Sequence, residues 1–193
     1  MSFILDSAAP GTPGVELKSD TGTSNTDAIT SVGLLVLTGL ENAAKAQYSI
    51  DAGVTWTNSF SAVNGLNSVQ VRQTDVAGNV SIAKSFSFTL DNQAAAAPAL
   101  ALAKDSGISA IDGLTNDASL ALTGVEERAT VQYNAQEASN WTSGFTALIG
   151  GNLVKVRQTD VAGNVSASST TLSFIFDKTA AQAPGVELPL TPE

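Results

Sequence analysis

The eleven residues "VRQTDVAGNVS" occur twice without a change, at Val71–Ser81 and at Val156–Ser166. The same offset of 85 residues links Asp20 to Asp105, Gly22 to Gly107, Asp27 to Asp112 and Gly39 to Gly124. It also links Glu41 to Glu126, Tyr48 to Tyr133, Trp56 to Trp141 and Phe60 to Phe145. Matches this numerous and free of gaps are a tandem duplication, so the fold must be one that about 85 residues complete and then repeat.

The two ends extend the pattern. "FILD" at Phe3–Asp6 resembles "FTLD" at Phe88–Asp91 and "FIFD" at Phe174–Asp177, and each Asp is followed seven residues later by Pro13, Pro98 or Pro184. "PGVEL" at Pro13–Leu17 returns at Pro184–Leu188. The expected organisation is therefore the last strand of a preceding repeat over 1–6, repeat 1 over 7–91 and repeat 2 over 92–177. A linker and the start of a third repeat follow over 178–193. The Ala/Pro stretches at these boundaries suit fixed spacing better than free swivelling.

Within each repeat the apolar period is two. Val69 and Val71, and Val154 and Val156, alternate with Gln70 and Arg72, and with Lys155 and Arg157. Leu35 and Leu37 match Leu120 and Leu122, and turn residues punctuate every eight to twelve positions. No amphipathic helix pattern appears. About seven short strands in about 85 residues predict an all-β fold, two tandem immunoglobulin-like β-sandwich domains in an extended rod. With no disulfide between the sheets, packing around Trp56 or Trp141 is expected to hold them.

Composition narrows the chemistry. The 193 residues contain no Cys and no His, and 18 acidic against 9 basic residues give a net charge of −9. Thiolate nucleophiles, imidazole bases and the usual zinc ligands are excluded. A metal would have to be held by oxygen, which points to a hard cation such as calcium. The acidic balance argues against nucleic acid and anionic membrane as partners. No apolar run reaches the roughly 20 residues of a membrane span, and the first residues lack a basic region before an apolar one. A soluble, monomeric piece is expected, with any targeting signal outside it.

"SIDAGVTW", Ser49–Trp56, fits the Asp-box pattern Ser-x-Asp-x-Gly-x-Thr-Trp of sialidases. Its counterpart "NAQEASNW", Asn134–Trp141, keeps only the Trp. A sialidase grips the sugar carboxylate with clustered arginines, whereas Arg72 and Arg157 are one repeat position in two domains and Arg128 is the third arginine. The box is expected to be a turn, with Trp56 in the core. No nucleophile–base set can be assembled either, so no enzyme is expected.

"TDVAGNVS" lies between two strands and reads as a hairpin, with Gly78 or Gly163 at positive φ and Asp75 or Asp160 accepting backbone N–H groups. In a sandwich it shares a pole with the loop after "LTGLE" or "LTGVE". Asp160, Glu126 and Asp91 should then meet at one junction, and Asp75, Glu41 and Asp6 at another. The opposite pole carries Asp20 and Asp27, or Asp105 and Asp112. These acids recur at matched positions with no assigned Lys or Arg, which favours a cation over solvated turns. Three sequons, at Asn79, Asn164 and Asn140, are a pattern common by chance.

"LTGVEERATVQYN … W … VKVRQTDVAGNVS", preceded by "DSG…DGLTND", resembles the bacterial Ig-like repeats of giant Bap-like and RTX adhesins exported by type I secretion, over essentially the whole chain. The resemblance implies extender modules at the cell surface, partnered by neighbouring repeats of the same chain. It also implies calcium at the domain junctions and a binding tip elsewhere. By motif position it carries over Glu41, Asp75, Glu126 and Asp160 as ligands, with linker residues Asp6, Asp91 and Asp177. Repeat 1 has "NTDAIT" where repeat 2 has "IDGLTN", without the Gly and Asn, which weakens the expected site at Asp20 and Asp27. The alternative is a carbohydrate- or protein-binding Ig-like module.

Overall fold

Alternating valines give the longest strands, as the period of two requires. The computed structural model describes residues 4–185. In repeat 1 the strands are β1 (Gly14–Leu17), β2 (Ile29–Thr30), β3 (Leu35–Thr38), β4 (Lys45–Ser49), β5 (Gly65–Thr74) and β6 (Lys84–Leu90). Repeat 2 repeats them as β7 (Ala99–Leu102), β8 (Leu114–Thr115), β9 (Leu120–Thr123), β10 (Thr130–Ala135), β11 (Gly150–Thr159) and β12 (Leu172–Phe176). No helix occurs among the described residues. Each repeat thus has six strands, against the expected seven or so, with isolated bridges at Tyr48–Thr57 and Thr74–Val80, and at Tyr133–Thr142 and Thr159–Val165.

Each repeat pairs a four-stranded sheet, β2-β6-β5-β4 or β10-β11-β12-β8, with a two-stranded one, β1-β3 or β7-β9. The short strands β2 and β8 run parallel to β6 and β12, whereas β1–β3, β4–β5, β5–β6, β7–β9 and β11–β12 are antiparallel. The core of repeat 1 is Val69, Val71, Phe88 and Leu90, and that of repeat 2 is Val154, Val156 and Phe174. Phe60 meets Phe88 edge to face, and Phe145 meets Phe174 the same way.

Trp56 corrects the expectation for the core. It is half-buried, with the Arg72 guanidinium 3.9 Å above its ring. Arg72 belongs to the outward-facing set of β5, so Trp56 covers the outer face of the sheet. The buried side chains are instead strand valines with Phe88 and Phe174.

Two compact units divide the chain differently from the sequence repeats. One runs through Pro98 and also takes in Gly124–Val131 and Arg157–Ser168; the other holds Ala99–Thr123, Gln132–Val156 and the segment from Ser169 on. Ile4 to Asp6 are exposed and form no strand, while Phe3 of "FILD" lies outside the described residues. Most of the second "PGVEL" also lies outside them.

Candidate functional site

The Asp-box geometry is that of a self-contained turn. Ser49 Oγ donates to Asp51 Oδ1 at 2.7 Å, Thr55 N and Oγ1 donate to the same carboxylate, and Trp56 Nε1 donates to Gly53 O. These bonds, the Thr55 hydroxyl first, hold the Asp51 pKa down to about 2. In repeat 2 the Asn134 amide takes over by donating to Ala138 O and Asn140 O.

The "TDVAGN" hairpins are built as the spacing requires. Asp160 N donates to Asn164 O, Gly163 N donates to Asp160 O, and Gly163 sits at φ 95°. The Asp160 carboxylate is 3 % exposed and accepts from Asn164 N and Asn164 Nδ2, both at 2.9 Å. Asp75 accepts likewise from Asn79, whose side-chain amide is the first cause of its lowered pKa. Asn164 Nδ2 also donates to Asp91 O at 2.8 Å, and Asn79 Nδ2 to Asp6 O at 3.3 Å. The linker therefore meets the hairpin through a backbone carbonyl. The carboxylates of Asp91 and Asp6 cap their own next turn, accepting from Gln93 N and Ala8 N. Glu41 and Glu126 have exposed side chains, and their backbone N–H groups donate to Gln73 Oε1 and Gln158 Oε1.

Those two glutamines are the residues that sequence reasoning missed. Both are fully buried. Gln158 Nε2 donates to Ala96 O and Gly124 O, and Gln73 Nε2 donates to Gly11 O and Gly39 O. Each amide thus ties the linker to the loop after "LTG". The signal was present: in V-x-V-x-Q the Gln falls on the inward face, where a polar side chain must find partners.

At the opposite pole the acids behave differently. Asp20 Oδ2 accepts from Ala28 N and Asp27 Oδ1 from Ile29 N, both at 3.0 Å. In repeat 2, Asp105 Oδ2 accepts from Gly113 N and Asp112 Oδ1 from Leu114 N. The second oxygens, Asp20 Oδ1, Asp27 Oδ2 and Asp105 Oδ1, are buried and have no hydrogen-bond partner. Ala28 adopts φ 58° where Gly113 has φ 71°, so the loop keeps its shape without the glycine. Asp177 caps the following turn, and the Thr179 N–H is the first cause of its lowered pKa. Among the described residues no three acidic side chains form a group able to hold a metal. A cation in these loops would rest on two carboxylates completed by carbonyls and water, a donor set calcium accepts.

One further feature lies inside the first compact unit, where 157–168 packs. Thr21 Oγ1 donates to Ala162 O at 2.6 Å and Thr23 N donates to Val161 O at 3.3 Å. Gly22 is required here, because a Cβ on it would overlap Val161 O.

Residues 93–178 match the family model of a bacterial Ig-like domain. No curated protein matches the chain. Among solved structures, the fibronectin(III)-like modules of Clostridium thermocellum CbhA are similar at 10 % identity and a TM-score of 0.46, over 89 % of this chain and 100 % of that one.

Proposed function

We propose that the chain supplies calcium-stiffened, non-catalytic extender repeats of a large bacterial cell-surface adhesin. In that role it holds a distal binding domain away from the cell during adhesion and biofilm formation. The supporting observation is the set of buried carboxylate oxygens without donors, Asp20 Oδ1, Asp27 Oδ2 and Asp105 Oδ1, in equivalent loops of the two repeats. A buried, unpartnered carboxylate oxygen costs several kcal/mol unless a cation or donor meets it. Asp20 with Asp27, and separately Asp105 with Asp112, would each hold an ion; Asp6, Glu41, Asp75, Asp91, Glu126, Asp160 and Asp177 are the further ligands proposed. Calcium bound there would supply the positive charge that lets Asp20 and Asp27, or Asp105 and Asp112, lie in one loop.

Extracellular calcium modules bind with a Kd of about 10⁻⁴–10⁻³ M, so ~1 mM calcium adds about 0.4–1.4 kcal/mol per site. Thermal melts in EDTA and in millimolar calcium test this. Asp20→Asn and Asp105→Asn are expected to remove part of the calcium increment. Asp160→Ala should lower both curves, because it unbraces the hairpin, and shows how far the acids at the hairpin's pole share in the increment. Superimposable wild-type curves in the two conditions would rule the cation out.

A second reading, a glycan- or protein-binding module, has one observation in its favour. Repeat 1 carries a surface cavity of about 470 Å³ lined by Asp51, Ser68, Gln70, Phe86 and Ser87 beside the exposed Ile50. Reproducible micromolar binding on a glycan array would favour it.

A further inference from the structure

The sequence Thr-Asp-Val-Ala-Gly-Asn stands in two environments. At 159–164 its tip is covered: Ala162 is fully buried, and a Cβ on Gly163 would lie 2.9 Å from Gly22 N. At 74–79 the identical tip is bare, with Val76 80 % exposed, Ala77 exposed and nothing within 4 Å of a Cβ on Gly78. The loop that receives the tip is likewise present twice. Around Gly22 it is filled, whereas a Cβ on the equivalent Gly107 would meet only Leu114 O, at 3.8 Å.

That second loop frames an open cavity of about 340 Å³ lined by Ser106, Gly107, Ile108, Asp112, Thr115 and Asn116, among others. Its hydroxyl is in place but engaged: Ser106 Oγ, the counterpart of Thr21 Oγ1, donates to Asn116 Oδ1 at 2.8 Å, a bond that an incoming carbonyl would replace. Ile108, the counterpart of Thr23, is fully exposed.

We propose that the Ser106–Asn116 loop is a socket for the Val-Ala-Gly tip of a like repeat, and that its occupant is the Val76–Gly78 tip of a second copy of this chain. The chemistry of recognition is that of the filled loop. A hydroxyl donates to the alanine carbonyl, a backbone N–H donates to the valine carbonyl, and a glycine without Cβ lets the two backbones touch. Because few residues are covered, two free copies meet weakly, while repeats joined in one chain meet at an effective concentration near millimolar. The inference rests on the seated hairpin and needs neither the cation nor the adhesin context.

A disulfide trap tests it, in a chain that has no cysteine of its own. A Cβ on Gly163 would lie 3.6 Å from Thr21 Cβ, inside the roughly 3.5–4.5 Å that disulfides span. Thr21→Cys with Gly163→Cys in one chain is the positive control. The test mixes two single-cysteine full-length chains, Gly78→Cys and Ser106→Cys, under mild oxidation, in calcium and in EDTA. Heterodimer in excess of random pairing is expected, and Ala77→Glu in the first chain should abolish that excess. Because Gly78 sits at φ 98°, amide spectra of the unmodified chain across concentration give a second readout. Residues 76–79 and 106–116 should shift together. Random pairing in both buffers, or shifts unchanged by Ala77→Glu, would overturn the proposal; wild-type calcium melts are read separately.

Discussion

Asp51 shows how much one carboxylate can organise. Its pKa falls from 3.8 to about 2 because Thr55 and Ser49 donate to the charged form. A group depressed on folding adds stability that is present above its unfolded value and is lost as pH falls through the folded one. The loss therefore belongs between about pH 4 and pH 2. Wild-type melting temperature is expected to drop across that window, and Asp51→Asn, already without the charge, should drop less. An equal fall in the two proteins would show that the turn is indifferent to ionisation. The turn itself was legible from Ser49, Asp51 and Gly53, since each does what its chemistry favours. The site of Trp56 was not, because a large apolar ring reads as core until the Arg72 guanidinium is known to lie over it.

At the scale of the element, the hairpin and its buried glutamine act together. Gln158 joins Ala96 O, Gly124 O and Glu126 N, and its own N–H donates to Ser166 Oγ. Gln158→Ala strands these buried groups and opens a cavity, so it should cost about 2–4 kcal/mol in denaturant unfolding. A change below about 0.5 kcal/mol, as for an ordinary surface site, would mean that water replaces the amide. The strands were readable from Val69, Val71, Val154 and Val156, whose alternation fixes one buried face. The acidic groupings were only half readable. Spacing places Asp160 at the hairpin, but it cannot say that Asn164, four residues on, satisfies both carboxylate oxygens. Conversely, the missing glycine at Ala28 counted against a loop that the backbone forms at a positive φ.

For the whole molecule, the extended rod expected from the short Ala/Pro linker of the sequence is open to a direct test. Solution scattering in calcium is expected to give a maximum dimension near the sum of two domain lengths, and a compact profile would refute it. Duplication was the most legible property of the sequence, since identical letters need no energetic judgement. What each copy touches was not, because "VAGN" reads the same whether covered or bare. The buried glutamine amides have a mechanical consequence. At Gly11 and Ala96 side-chain hydrogen bonds, not a long strand ladder, anchor the linker. Such anchors are expected to yield under tension before the valine-rich sheets do, at a small gain in length against the roughly 300 Å of contour that one unfolded repeat would release.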